Sequence, residues 1–307
     1  MKTIVWLVLC LIWGTTWFFI KIGLEDLPPI SFAAARFVLA LLILSAIILW
    51  RKIPLPKTKA DWMLLGLTGF LQFFVNYSAV FWGEQYVSSG LAAVLQAMIP
   101  VFGLVWAWYH LPDEKITGRK ICAILLGIGG VAIVFADQLQ VNDWLSFVGC
   151  AVIVAGACAA AESNILTKKF GGNLHPTSLV FGQMVCGILP LLIVGLWKEG
   201  NPLEFNWTPA AALSVLYLAT VGTIAAFWLY YWLLSQIESA KAMTIALVTP
   251  LVAVFIGGVF LGESLLPQTF FGGALILASV GLVVFRKIEP HPREICLKTV
   301  DGCPADV

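Results

Sequence analysis

The sequence predicts an all-α integral membrane protein with ten transmembrane helices arranged as two inverted five-helix repeats. Three observations predict this class: the composition, a series of apolar segments, and an internal repeat. Of 307 residues, 60% are hydrophobic and only 11% are charged, whereas a soluble domain carries roughly 25% charged residues. Because so few charges cannot cover a water-facing surface, much of the chain must present apolar side chains to lipid.

The apolar segments are long enough to cross a bilayer, which requires ~20 mostly apolar residues per helix. Lys2 before an apolar run also resembles a signal peptide, but bulky Trp13 and Trp17 stand where cleavage would need small residues. Residues 288–307 are polar and contain proline, and we expect a disordered cytoplasmic tail there. The predicted spans are 4–20, 31–50, 62–82, 87–110, 120–136, 144–166, 177–197, 209–234, 240–261 and 269–285.

Basic residues predict the orientation, because Lys and Arg are enriched in cytoplasmic loops. When they are assigned to alternating sides of the predicted spans, fifteen of the eighteen fall on the side of the N-terminus. The opposite side holds only Lys21 and Lys198, and Arg36 lies inside the second span. This distribution predicts that both termini are cytoplasmic, and it requires an even number of spans.

An internal repeat is visible at an offset of 150 residues. Pro100 and Pro250 are separated by this distance, and the same offset matches Ser89 with Ser239 and Trp82 with Trp232. We therefore predict one repeat over 1–137 and a second over 138–287. Since five spans is an odd number, the second repeat enters the membrane from the opposite face, as in many secondary transporters and in some channels.

Both prolines lie on a stripe of small residues, which lets helix backbones pack closely in a membrane. Proline also leaves one backbone carbonyl without its donor, here that of Gln96 or Ala246. In lipid such carbonyls need other partners, so this face should point toward protein or water. Pro100 and Pro250 are candidate hinges; the alternative is that they serve packing only.

Neutral polar and aromatic residues in the predicted spans are the candidate substrate ligands. Amides at mid-membrane depth need hydrogen-bond partners, which either a pocket or a neighbouring helix can supply. The aromatic residues form helical stripes, a pattern that also suits lipid contact or packing. The candidates are Trp13, Trp17, Gln72, Asn76, Gln96, Gln183, Phe227 and Tyr231.

Two ionisable residues are candidates for charge coupling, because charges inside a membrane are costly and mark functional sites. Arg36 lies about two turns into the second span and suits a substrate carboxylate, an outward-reaching surface position, or a pair with Glu25 or Asp26. Glu162 suits proton exchange or a pair with Lys168 or Lys169.

These landmarks resemble the EamA family of the drug/metabolite transporter superfamily. The resemblance covers nearly the whole chain except its tail. It implies ten helices, a central cavity between the halves, and export or exchange of small metabolites. Two positions depart from the family pattern: Thr249 stands where a carboxylate often precedes the second proline, and Ala160-Ala161 replaces a Trp-Gly pair. The landmarks are Trp13-Gly14, Lys21, Leu27-Pro28-Pro29, Arg36-Phe37, Pro100, Asp113-Glu114, Gly127, Gly129, Gly130, Ser239-Ala240, Pro250, Leu261-Gly262-Glu263 and Gly272-Gly273.

The expected function is that of a secondary transporter for a small polar or zwitterionic, amino-acid-like metabolite, in a bacterial inner membrane. The expected partners are that solute, a coupled proton and the lipid bilayer, with the chain a monomer or homodimer. A net charge of +1 does not suggest nucleic acid. HExxH, GxSxG, GxGD, CxxC and Walker motifs are missing from the sequence. We therefore expect no catalytic residues, cofactor or metal. A channel, a receptor and a membrane-embedded enzyme are the alternatives.

Overall fold

The computed structural model describes residues 2–110, 117–140, 144–172, 174–237, 242, 245–260 and 267–284. Regular structure within these ranges is helical throughout. In the first half, α1 spans Lys2–Gly23, α2 spans Pro29–Arg51 and α5 spans Gly118–Gln140. Helix α3 consists of Lys59–Gly69, Phe70–Asn76 and Tyr77–Gly83, and α4 of Ser89–Gln96 and Ile99–His110.

In the second half, α6 spans Trp144–Phe170, α7 spans Pro176–Lys198, α9 spans Ile245–Phe260 and α10 spans Pro267–Val284. Helix α8 consists of Pro209–Ala219, Thr220–Ala225 and Ala226–Gln236. The predicted tail, 288–307, lies outside the described residues.

Seven of the described helices are long and apolar enough to cross a membrane, which confirms the prediction of an all-helical membrane chain. Many large apolar side chains on them are exposed, such as Leu42 at 63% and Ile193 at 68%, as lipid contact requires. The count of ten spans remains a prediction. The seven are Lys2–Gly23, Pro29–Arg51, Lys59–Gly83, Ser89–His110, Trp144–Phe170, Pro176–Lys198 and Pro209–Leu234.

The most extensive helix pairs keep their pattern when α1 to α5 are exchanged with α6 to α10. Helix α1 packs on α9, and α6 packs on α4. Helix α3 contacts α6 and α7, and α8 contacts α1 and α2. Helices α2 and α7 pack on each other, as do α5 and α10. The two halves are thus interleaved, with each forming much of its packing surface against the other.

Side chains in the connections tie the halves together at one end of the bundle. Glu199, which follows α7, accepts hydrogen bonds from the backbone N–H groups of Ile30 (2.9 Å) and Ser31 (2.6 Å) at the start of α2. Asp26 accepts from the Asn206 amide at 2.9 Å and the Thr208 hydroxyl at 2.6 Å. The Glu199 carboxylate therefore satisfies backbone donors that α2 leaves free at its N-terminus, whereas Asp26 binds side-chain donors.

Close approach of α3 and α7 depends on glycine. A Cβ at Gly69 would lie 2.2 Å from the backbone oxygen of Gln183, and one at Gly187 would lie 2.5 Å from the backbone oxygen of Gly69. Backbone atoms cannot move aside as the end of a flexible side chain can. These glycines therefore set the distance between the two helices, as small residues generally do in membranes.

Gly69→Ala should destabilise the protein because the new methyl group meets backbone. We expect a loss of about 1–3 kcal/mol, the usual effect of overpacking a core. Gly66→Ala, three residues earlier on the same helix, is the matched control, because nothing lies within 4 Å of its Cβ position. Thermal unfolding in detergent should show a lower Tm for Gly69→Ala only. Equal Tm values would contradict the glycine-dependent contact.

A central cavity between the two halves

Two π-helical stretches shape the centre of the molecule. One covers Phe70–Asn76 in α3 and the other Thr220–Ala225 in α8, and they begin 150 residues apart. In a π-helix, residues five apart lie about one turn from each other. The stretches accordingly bring Gln72 and Tyr77 of α3, and Gly222 and Phe227 of α8, to one common cavity.

The cavity has a volume of about 120 Å³ and is lined by residues of α1, α2, α3, α4, α6, α8 and α9, together with Ala242. Both halves of the chain thus contribute to it. Its aromatic lining residues are Trp13, Trp17, Tyr77, Phe227 and Tyr230. Its polar lining residues are Thr16, Arg36, Gln72, Asn76, Gln96, Asn164 and Thr249.

Arg36 of α2 lies in the cavity wall with 1% of its surface exposed. Its Nη2 donates a hydrogen bond to the Thr223 hydroxyl at 2.7 Å, which links the two halves. Its guanidinium carbon lies 4.8 Å from the ring centre of Phe37, 4.9 Å from Tyr77 and 5.6 Å from Phe81, distances at which cation–π attraction operates. An outward-reaching position for Arg36 is therefore wrong.

The predicted pairing of Arg36 with Glu25 or Asp26 is also wrong. Asp26 bonds to Asn206 and Thr208 instead. Among the described residues, no carboxylate lies within 4.0 Å of the guanidinium. The positive charge in the cavity wall is thus met by aromatic rings and a neutral hydroxyl.

Gln96 and Asn76 form a hydrogen-bonded pair in the wall. Gln96 Nε2 donates to Asn76 Oδ1 at 3.2 Å and to the backbone oxygen of Ile153 at 3.1 Å. These bonds connect α4, α3 and α6. Gln72, one turn before Asn76, differs because its Oε1 is buried without a hydrogen-bond partner among the described residues.

Gln183 and Tyr231, also predicted as ligands, lie behind this wall. The Gln183 amide donates to the hydroxyls of Thr68 and Thr167, both at 2.9 Å, and its Oε1 accepts from the Tyr231 hydroxyl at 2.7 Å. Four helices, α3, α6, α7 and α8, are thereby joined through one amide. The structure thus gives Gln183 a set of partners within the protein.

Glu162 is positioned near one end of α4, away from the cavity lining. Its Oε1 lies 4.0 Å from Nε2 of His110. Lys169, one of the two partners expected for Glu162, donates from Nζ to the backbone oxygen of His110 at 2.5 Å instead. The expected ion pair with Lys169 therefore does not form, because that lysine lies ~10 Å further along the same helix.

The two prolines occupy different backbone settings. Helix α4 is interrupted at Ala97 and Met98, so Pro100 is the second residue of its next segment, a position where a missing N–H costs nothing. Helix α9 runs continuously through Pro250. There the Thr249 hydroxyl donates to the Ala246 backbone oxygen at 3.3 Å, which gives this carbonyl a replacement donor.

Several lining residues were not among the sequence candidates. Tyr77 was visible only as the partner of Phe227 at the repeat offset. Thr16, Asn164 and Tyr230 carried no signal that separated them from other polar or aromatic residues in the spans. Trp13 contacts both Phe227 and Tyr230, with ring centres 5.8 and 5.1 Å apart.

The model of the EamA-like transporter family matches the chain twice, over residues 1–136 and 147–285. The chain therefore belongs to the EamA-like transporter family, within the drug/metabolite transporter superfamily. This confirms the resemblance found in the sequence. The family membership and the apolar helices together define a multi-pass membrane protein of a transporter family.

Individual relatives are similar over most of their length. The chain is 30% identical to the uncharacterized inner membrane transporter YedA of Escherichia coli K12, over 91% of this chain and 89% of that protein. It is 28% identical to a probable amino-acid metabolite efflux pump of the same organism, over 91% and 93%. A solved crystal structure superposes with a TM-score of 0.67 at 15% identity, covering 92% of this chain and 96% of that one, and supports the fold.

Proposed function

We propose that the protein is a secondary transporter that exports or exchanges a small polar or zwitterionic, amino-acid-like metabolite by alternating access. The observation that carries this proposal is the cavity between the two halves, where Arg36 and four amides meet five aromatic side chains. Such a mixture of convergent polar groups and aromatic walls is typical of small-molecule sites. The similarity to a probable amino-acid metabolite efflux pump favours the same class of solute.

The proposed architecture is ten membrane spans in two inverted repeats, 1–137 and 138–287. The exchange symmetry of the helix packing supports it, as do the two matches of the family model and the paired π-helices. Inverted repeats let one half rock against the other around a shared site. The distribution of basic residues favours cytoplasmic N- and C-termini, and YedA, an inner membrane protein by name, favours a bacterial inner membrane.

The proposed solute ligands are the six predicted residues that line the cavity, with Arg36 beside them. Gln183 and Tyr231 join four helices behind the cavity wall. Their proposed role is to position the lining residues, not to contact the solute. Glu162 with His110 is the proposed place for a coupled proton, because the two side chains are ionisable types and lie 4.0 Å apart near the end of α4. The six ligands are Trp13, Trp17, Gln72, Asn76, Gln96 and Phe227.

Solute exchange in proteoliposomes tests this function. Vesicles loaded with a mixture of unlabelled amino acids should take up at least one radiolabelled amino acid from outside, faster than protein-free vesicles. Gly222→Phe, which places a ring in the cavity, should reduce exchange to less than about a tenth because a filled site cannot bind solute. Leu216→Phe is the control, since Leu216 lies on the same helix and is 49% exposed. Equal exchange by Gly222→Phe and wild type would contradict a role for the cavity.

Alternating access further predicts an effect of the two prolines in the same assay. In Pro100→Ala, the new N–H can donate to the Gln96 carbonyl and make α4 continuous, which should slow turnover while leaving solute affinity and Tm close to normal. Pro250→Ala should act likewise, and the double variant should be slower than either. Pro190→Ala is the control, because Pro190 lies inside α7 and does not line the cavity. Normal turnover in the double variant would show that these prolines serve packing only.

A further inference from the structure

We infer that Arg36 and Gln72 form the head-group site for a zwitterionic α-amino acid with an apolar or aromatic side chain. Arg36 Nε would donate to the carboxylate, and Gln72 Oε1 would accept from the ammonium group. This inference rests on the proposed transport function and assigns its substrate class. It starts from two buried polar atoms in one cavity that have no partner among the described residues.

Arg36 lines the cavity and carries a charged donor without a partner. Its Nη2 is held by Thr223, and aromatic rings surround the guanidinium carbon, but its buried Nε has no hydrogen-bond partner within the part of the chain that the structure describes. A buried charged donor left without an acceptor is costly. An arginine can donate two parallel N–H···O bonds to a carboxylate, and such charge-assisted bonds are stronger than neutral ones. The available chemistry at Arg36 is thus that of a carboxylate site.

Gln72 lines the same cavity and carries an acceptor without a partner. Its side chain is 6% exposed, and its Oε1 has no donor within the described residues. The π-helical stretch places Gln72 about one turn from Tyr77, and the Tyr77 ring lies 4.9 Å from the Arg36 guanidinium. The residues that carry the unpaired acceptor and the unpaired donor thus line one cavity, with the Tyr77 ring beside the guanidinium.

Arg36 Nε needs an acceptor and Gln72 Oε1 needs a donor, and a zwitterion supplies both. A simple carboxylate would leave the Gln72 oxygen without a donor, and a simple amine would meet the guanidinium with a like charge. Beyond the head group, Trp13, Phe227 and Tyr230 form an aromatic wall suited to an apolar side chain.

The test measures binding of three related compounds to the full-length protein by isothermal titration calorimetry in detergent. They are L-phenylalanine, 3-phenylpropanoate, which lacks the amine, and phenethylamine, which lacks the carboxylate. Wild type should bind L-phenylalanine at least about 10-fold more tightly than either analogue. Arg36→Gln should weaken L-phenylalanine and 3-phenylpropanoate by roughly 10- to 100-fold, as expected for loss of a charged hydrogen bond. It should not weaken phenethylamine, because loss of the guanidinium removes a like charge.

Gln72→Met, similar in size, should remove the preference for L-phenylalanine over 3-phenylpropanoate and leave the affinity for 3-phenylpropanoate unchanged. Arg51→Gln is the control for the Arg36 variants, because Arg51 lies at the exposed end of the same helix. The Arg51→Gln protein should bind all three compounds as wild type does. If Arg36→Gln does not fold, Arg36→Lys is the second variant, because lysine keeps the charge but cannot donate two parallel hydrogen bonds. It should weaken binding of L-phenylalanine and 3-phenylpropanoate and leave binding of phenethylamine unchanged.

The inference is overturned if the Arg36 variants weaken all three compounds equally or none of them, since a structural arginine would not select by carboxylate. It is also overturned if wild type binds none of the three while proteoliposomes exchange some other solute, in which case the proposed transport function stands. Absence of exchange for every solute would overturn the transport function itself.

Discussion

The requirement to satisfy a positive charge inside a membrane governs the centre of this protein. Arg36 is almost fully buried, and a bare guanidinium in hydrocarbon is costly. Three aromatic faces and one hydroxyl surround it. The Thr223 hydroxyl that accepts from Arg36 donates in turn to the Leu218 backbone oxygen, five residues earlier, at 2.7 Å. The charge is thus coupled to the backbone of the π-helical stretch in α8.

The hydrogen bond from Arg36 to Thr223 connects the π-helical stretch of α8 to the packing of the two halves. Arg36 belongs to the first half and Thr223 to the second, so the cation joins the halves at the place where the cavity opens between them. The matching π-helix in α3 turns Gln72 and Tyr77 toward the same space. A π-bulge often marks a functional site in a helix, and here two of them occur at equivalent positions of the repeat.

The sequence predicted the helical membrane class because composition and hydropathy average over many residues and tolerate local errors. It also supplied eight candidate ligands, of which six line the cavity; the amides among them were candidates because polar groups at mid-membrane depth need hydrogen-bond partners. It could not separate Gln72 from Gln183. Both are mid-membrane amides, and what distinguishes them is the presence of Thr68, Thr167 and Tyr231 around Gln183, contributed by other helices.

The features that sequence reasoning missed depend on single hydrogen bonds. The π-helices and the interruption of α4 before Pro100 each shift the register by about one residue, which a periodic pattern does not reveal. The interaction of Glu162 with His110 rather than Lys169 is likewise a contact between helices. The compensation of the Ala246 carbonyl by Thr249 explains how a proline is accommodated in α9 without a break.

If the cavity between the halves is a solute site reached alternately from the two sides of the membrane, a cysteine in its lining should react from both sides. The most direct measurement is the labelling rate of Ala246→Cys, in a background without other cysteines, by a membrane-impermeant thiol reagent, because Ala246 lines the cavity and is not a proposed ligand. Alternating access predicts labelling in right-side-out and in inside-out vesicles, slowed in both by the exchanged amino acid, with lipid-facing Leu42→Cys unlabelled. Labelling from one side only, or from neither, would contradict it.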